Sequence, residues 1–186
     1  LPISLLLNNL LMPVAAAVVL LGTLYPLFID AISGEKISVG PPFFNAAFVP
    51  LMTPVLIVMA IGPLLAWKRG NLPEALRRLV FAAGVTVATF VAVMALSDDG
   101  SLLAAFGIAL AAWLLIGTLS EIVTRSKMFR VPIGVSISRL VGLPRSQWGM
   151  SIAHAGLGLA IIGMVGSTVW KQEHINVMHP GDVVQV

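Results

Sequence analysis

Five apolar runs divide the chain, at about Leu5–Ile29, Ala46–Trp67, Leu79–Leu96, Leu102–Ile122 and Trp148–Trp170. A run of about 20 apolar residues is long enough, as a helix, to span a hydrocarbon core ~30 Å thick. The pattern predicts an all-α fold, a polytopic membrane helix bundle of about five transmembrane helices covering residues 1–170. Residues 171–186 are more polar, with a turn signal at Pro180-Gly181-Asp182 and a strand start from Val183. They read as the start of an outer-face, β-rich extramembrane segment.

Within the runs, prolines and polar residues set local expectations. Pro13 and Pro26 tilt or kink the first segment, since each removes a backbone donor. Asn8 and Asn9, near its start, read as interfacial hydrogen-bonding residues. Asp30 to Asn45 forms a loop whose Pro41-Pro42 favours extended backbone and whose Phe43-Phe44 suits a membrane interface. Pro50 and Pro54 fall near the start of the second segment, where a missing N–H costs least, and Gly62-Pro63 predicts a kink. Glu121 closes the fourth segment and reads as interfacial rather than as a proton relay. The long link from Thr124 to Gln147 carries a mixed stretch, Ile133 to Leu143, suited to the membrane surface.

Composition agrees: 58% of residues are hydrophobic, 10% are charged and mean hydropathy is +1.00, which excludes a soluble domain. The absence of cysteine excludes thiol catalysis, disulfides and covalent haem attachment through this chain. The net charge of +3 arises in the loops and does not point to nucleic acid. Lys68, Arg69, Arg77 and Arg78 lie between segments two and three, and Arg125, Lys127, Arg130, Arg139 and Arg145 between four and five. Only Lys36 and Lys171 of the eleven basic residues fall on the other side. The excess of basic residues places these two links in the cytoplasm. The loop at Gly40, the Asp98-Asp99 turn and the tail then face outward. The chain begins at Leu1 without an initiator Met and ends in Val183-Val184-Gln185-Val186, the expectation for a fragment.

The candidate chemistry sits in the last apolar run. His154 is the only histidine in the apolar segments, flanked by small and apolar residues. An ionisable side chain in a bilayer is costly and marks a function by default. Neutral imidazole is a common ligand of haem iron and other metals. The alternative is a core histidine bonded to a neighbouring helix. The same helix carries a seam of small residues, Gly149, Ala153, Gly156, Ala160, Gly163 and Ser167, spaced four and three apart. Such a seam lets a neighbour approach closely in lipid, with His154 facing into the bundle. His154 lies six residues past Trp148, roughly 9 Å into the membrane on the cytoplasmic side at about 1.5 Å per residue. A haem there is placed for electron exchange with a membrane quinone. His174 and His179, in the polar tail, read as surface residues, because paired histidines without acids or cysteines are a weak metal signal.

Three stretches carry a resemblance. Lys36 to Asn45 resembles the outer loop of the CcmF family of cytochrome c-type biogenesis proteins, and Trp148-Gly149-Met150 through Ala153-His154-Ala155-Gly156 resembles that family's transmembrane-histidine segment. Gly62-Pro63-Leu64-Leu65 is a third match. The order matches the C-terminal part of the family. The resemblance implies the haem lyase of bacterial cytochrome c maturation, in the inner membrane. Such an enzyme attaches haem to the thiols of a Cys-x-x-Cys-His apocytochrome on the periplasmic side. It also implies haem b as cofactor, with His154 as one axial ligand. The implied partners are a holo haem chaperone (CcmE-like), CcmH/CcmI-like thioredox and apocytochrome-binding subunits, apocytochrome c, and quinol as electron source. The family's tryptophan-rich outer segment, its two outer histidines and the other b-haem ligand have no counterpart here, so catalytic residues stay unassigned and this fragment alone is expected to be inactive. Two other readings stand beside this one. A membrane b-type cytochrome or quinone oxidoreductase subunit would carry several intramembrane histidines. A transporter or structural subunit would carry intramembrane charges.

Overall fold

The computed structural model describes residues 3–61, 72–97 and 101–171. Among the described residues six helices follow one another: α1 (Ile3–Ser33), α2 (Pro41–Ile61), α3 (Leu72–Leu96), α4 (Leu102–Ser126), α5 (Ile133–Val141) and α6 (Arg145–Val169). All but α5 are long and apolar enough to cross a membrane. The all-α, five-span expectation holds, and the chain is a multi-pass membrane protein. No strand occurs among the described residues. The strand start from Val183, the Gly62-Pro63 kink and the Asp98-Asp99 turn lie outside them.

The helix ends follow local chemistry. Ser101 caps α4 by accepting from the Ala104 N–H at 3.3 Å, satisfying one of the donors a helix start leaves open. Lys127 ends α4 in the left-handed region, where its N–H reaches the Thr124 carbonyl and that of Met128 reaches Val123. Arg77 and Arg78, expected in a loop, lie inside α3. Pro41-Pro42 corrects another expectation. The pair is not extended: it opens α2, at the positions where proline's missing donor and fixed φ are tolerated. Phe43 and Phe44 then stack edge to face, 5.4 Å apart, over Gly22 of α1. Their rings cover the neighbouring helix α1, and Phe43 also stays exposed.

The core is built around α4. Half of its membrane-spanning stretch is buried, against 17% or less for every other span. It touches α2, α3, α5 and α6, whereas α1 packs chiefly on α2. Leu110, Trp113 and Leu114 of α4 meet Leu56 and Ala60 of α2 and Ala82 of α3, with Leu157 and Ile161 of α6 closing the cluster. Trp113, 8% exposed, also donates from Nε1 to the Ile57 carbonyl at 3.1 Å, so its one polar atom ties α4 to α2. Gly117 lets the same two helices touch, since a Cβ there would lie 2.8 Å from the Ala60 Cβ.

Candidate functional site

α6 docks on α4 through one face. A Cβ at Gly158 would stand 3.0 Å from Leu115, and one at Gly107 of α4 would stand 2.7 Å from Val165. Ser151 and Gly158 are the buried residues of α6. This face is not the seam read from the sequence. Gly149, Gly156 and Gly163 have nothing within 4 Å of an added Cβ, and Ala153, Ala160 and Ser167 are exposed. The seam therefore points away from α4 and carries no close contact among the described residues. The reason is rotational: Ser151, Gly158 and Val165 share a line on the opposite side of the helix, given about 3.6 residues per turn.

His154 lies on the inner side, roughly 60° round α6 from Ser151. Its imidazole is half-buried and makes no hydrogen bond among the described residues. The contacts of Gly107 with Val165 and of Gly158 with Ala111 and Leu115 fix an antiparallel register between the helices. Extended downward, that register sets Thr118 level with His154, Glu121 level with Ser151 and Arg125 level with Gln147. A ladder of polar residues thus runs from the basic end of the bundle up to His154, inside an otherwise apolar helix pair. Thr118 uses its hydroxyl locally, donating to the Leu114 carbonyl at 2.8 Å.

Glu121 is the rung whose burial the sequence did not show. It lies near the end of α4, as expected, but is buried, 3% exposed. Its Oε1 accepts from Arg125, with Nε at 2.8 Å and a terminal nitrogen at 2.6 Å. The four-residue spacing of Glu121 and Arg125 was visible in the sequence and is the usual helical pairing distance. Burial could not be read from it, because it depends on α5 and α6 covering the end of α4. Its Oε2 is buried without a donor, as are Ser136 Oγ on α5 and Gln147 Oε1 on α6. An unpaired buried polar atom costs about 1–3 kcal/mol. Among the described residues all three gather at this one end of the bundle.

α5 covers this end from the side. The left-handed residues Lys127 (φ 52°) and Phe129 (φ 69°) turn the chain after α4. Ser136 is then buried, while Ile133, Ile137 and Val141 form an exposed stripe, as expected of a helix on the membrane surface. Trp148 Nε1 donates to the Leu140 carbonyl at 3.2 Å and joins the start of α6 to α5.

An imidazole without a hydrogen bond, half-open on a packed helix pair, fits the kind of donor that haem iron takes. No group of three or more His, Asp or Glu side chains that could hold a metal ion gathers among the described residues. His154 is the only histidine among the described residues. His174 and His179 lie outside the described residues.

Comparison with known proteins places the chain. No family model and no solved structure matches it. The cytochrome c-type biogenesis protein CycK of Rhizobium meliloti is 46% identical over 183 residues, covering 98% of this chain and 27% of the relative. CcmF of Pseudomonas aeruginosa is 39% identical over 184 residues, and CcmF of Escherichia coli 33% over 184, each covering 98% of this chain and 27% of the relative. The chain spans about a quarter of the length of these curated relatives. Over nearly its whole length, then, the chain corresponds to one segment of the cytochrome c-type biogenesis family whose members are named CycK and CcmF.

Proposed function

We propose that the chain is part of a membrane haem lyase of cytochrome c maturation, and that His154 is an axial ligand of its b-type haem. The observation that carries this reading is the His154 imidazole: intramembrane, half-covered and without a hydrogen bond. A structural histidine in a bilayer core would be bonded to a neighbour, because an unpaired polar group is costly there. The similarity to CycK and CcmF over 98% of the chain supports the pathway.

The roles divide as follows. His154 supplies one imidazole nitrogen to iron, and a residue outside this chain supplies the other. When bound, a b haem supplies one-electron chemistry, with quinol as the donor. α4 and α6 hold His154 in the cytoplasmic leaflet of the bacterial inner membrane, on the quinol side. Attachment of haem to the Cys-x-x-Cys-His apocytochrome takes place on the periplasmic face, with a CcmE-like chaperone delivering haem and CcmH/CcmI-like subunits presenting the apocytochrome. The ligands of that substrate haem belong to other parts of the full-length protein.

The test is a reduced-minus-oxidised spectrum of the purified full-length protein. The wild type should show a b-type signal, and His154→Ala should lose most or all of it. His154→Gly with added imidazole should regain part, since a small ligand fills the gap. A full b-type signal in His154→Ala would make His154 a packed core residue only.

A further inference from the structure

Glu121 is unexplained by its own ion pair. Arg125 occupies Oε1 and fixes the direction of the carboxylate, yet Oε2 is left buried without a donor. A salt bridge needs no such burial, and an exposed pair at this end of α4 would avoid the loss. Oε2 is thus open to a further donor.

The register narrows the donor. Glu121 stands one turn from the level of His154, and both turn to the same side of the α4–α6 contact. On α4, Glu121 is rotated roughly 40° from the line of Gly107, and on α6 His154 is rotated roughly 40° from that of Gly158, in the sense that brings the two together in an antiparallel pair. The other hydroxyl-bearing candidates are Thr118, already donating to Leu114, Ser151, on the inner line of α6, and Ser136, buried on α5. A ligating histidine has one ring nitrogen left over, and that N–H is normally held by a carboxylate, a carbonyl or a water.

We propose that Glu121 is the positioning residue of His154: its unpaired Oε2 accepts the hydrogen bond of the imidazole nitrogen that does not bind iron, directly or through one water. This rests on the reading of His154 as a haem ligand. Arg125 is then the outer member of a chain, Arg125 to Glu121 to His154, that fixes the ring tautomer and plane. The carboxylate also makes the imidazole a stronger electron donor, which favours ferric over ferrous iron.

The test is potentiometric titration of the b haem in the purified full-length protein, with electron paramagnetic resonance of its ferric form. Glu121→Gln keeps the shape and removes the charge, so the midpoint potential should rise and the ferric g-value spread should change. Arg125→Gln leaves Glu121 as a stronger acceptor, so the potential should fall. It also covers the case in which Glu121 variants do not accumulate. Ser151→Ala should leave both readouts at the wild-type values. If His154→Ala abolishes the haem signal but Glu121→Gln and Arg125→Gln move neither readout, the positioning role is wrong and the ligand reading survives. If Ser151→Ala reproduces the Glu121→Gln shift, Ser151 is the donor to Oε2 and the proposal falls. If His154→Ala retains the full haem signal, the ligand reading itself fails.

Discussion

The contact of Gly117 with Ala60 offers the sharpest test of how α2 seats on α4. In Gly117→Ala the new Cβ would stand 2.8 Å from the Ala60 Cβ, 3.4 Å from its Cα and 3.5 Å from its carbonyl oxygen. Ordinary carbon–carbon contact is about 3.5–4.0 Å, so the helices must separate by a sizeable fraction of an ångström. No rotamer can relieve this, because both sides are methyl groups on helical backbone. Overpacking of this kind costs about 1–3 kcal/mol. The gain in helix propensity from Gly to Ala, up to about 1 kcal/mol, offsets part of it. A net loss of about 1–2 kcal/mol is expected for the single variant. Ala60→Gly alone should also destabilise, by roughly 1 kcal/mol, through propensity and lost packing. In the double variant Gly117→Ala/Ala60→Gly the methyl simply changes helix, and most of the clash disappears. The coupling energy should therefore be favourable by at least about 1 kcal/mol, in the range of contacting residues. Reversible unfolding in detergent, or the thermal midpoint of the purified protein, measures it. Additive effects of the two changes would refute the close approach.

On α6 the glycines should separate by face. Gly158→Leu should lower stability and accumulation, because Leu115 and the Ala111 carbonyl already border that position. Gly156→Leu and Gly163→Leu should leave the packing of α6 on α4 within about 0.5 kcal/mol; greater damage from either than from Gly158→Leu would reverse the orientation of the helix. Single cysteines at Ser138, exposed on α5, and at Ser97, after α3, should label from opposite sides of the membrane, with Ser138 protected from an impermeant reagent added outside. Labelling of Ser138 from the outside would overturn the topology. His174→Ala/His179→Ala should leave the haem spectrum of the full-length protein unchanged, and loss of the Soret band would make one of them a ligand.

The spans were legible because length and apolarity alone decide whether a helix can cross a bilayer. Helix ends were less so. Pro41-Pro42 reads as extended in isolation, and only the following helix turns it into a helix start. Arg77 and Arg78 look like loop residues because charge was taken as a boundary, yet a helix can carry basic residues at its entry. His154 stood out, since one polar side chain in an apolar run is visible without a structure. Its surroundings did not. The rotation of α6 was misread because six small residues at helical spacing form a more conspicuous pattern than Ser151, Gly158 and Val165, which make the contact with α4. Small residues favour close packing wherever a partner exists, but their spacing does not say which side the partner is on.

That reversal changes which glycines matter for the site. Gly107 and Gly158 carry the close approach of α4 and α6, one on each helix, and both lie above the level of Glu121 and His154. Two helices joined at such points behave as a rigid pair, because backbone replaces side chains as the spacer. The distance from Glu121 to His154 is then set by contacts that neither residue makes. Arg125 holds the carboxylate from below, and the α5–α6 bond from Trp148 to Leu140 holds the start of α6. A carboxylate and an imidazole on separate helices stay in hydrogen-bond range only if that spacing is kept to a fraction of an ångström. A residue at Gly107 or Gly158 that widens the pair should therefore weaken the hold on the imidazole before it unfolds the bundle. Disturbance of the site would precede loss of the protein, and on the proposed reading of His154 the two glycines would register as determinants of haem properties.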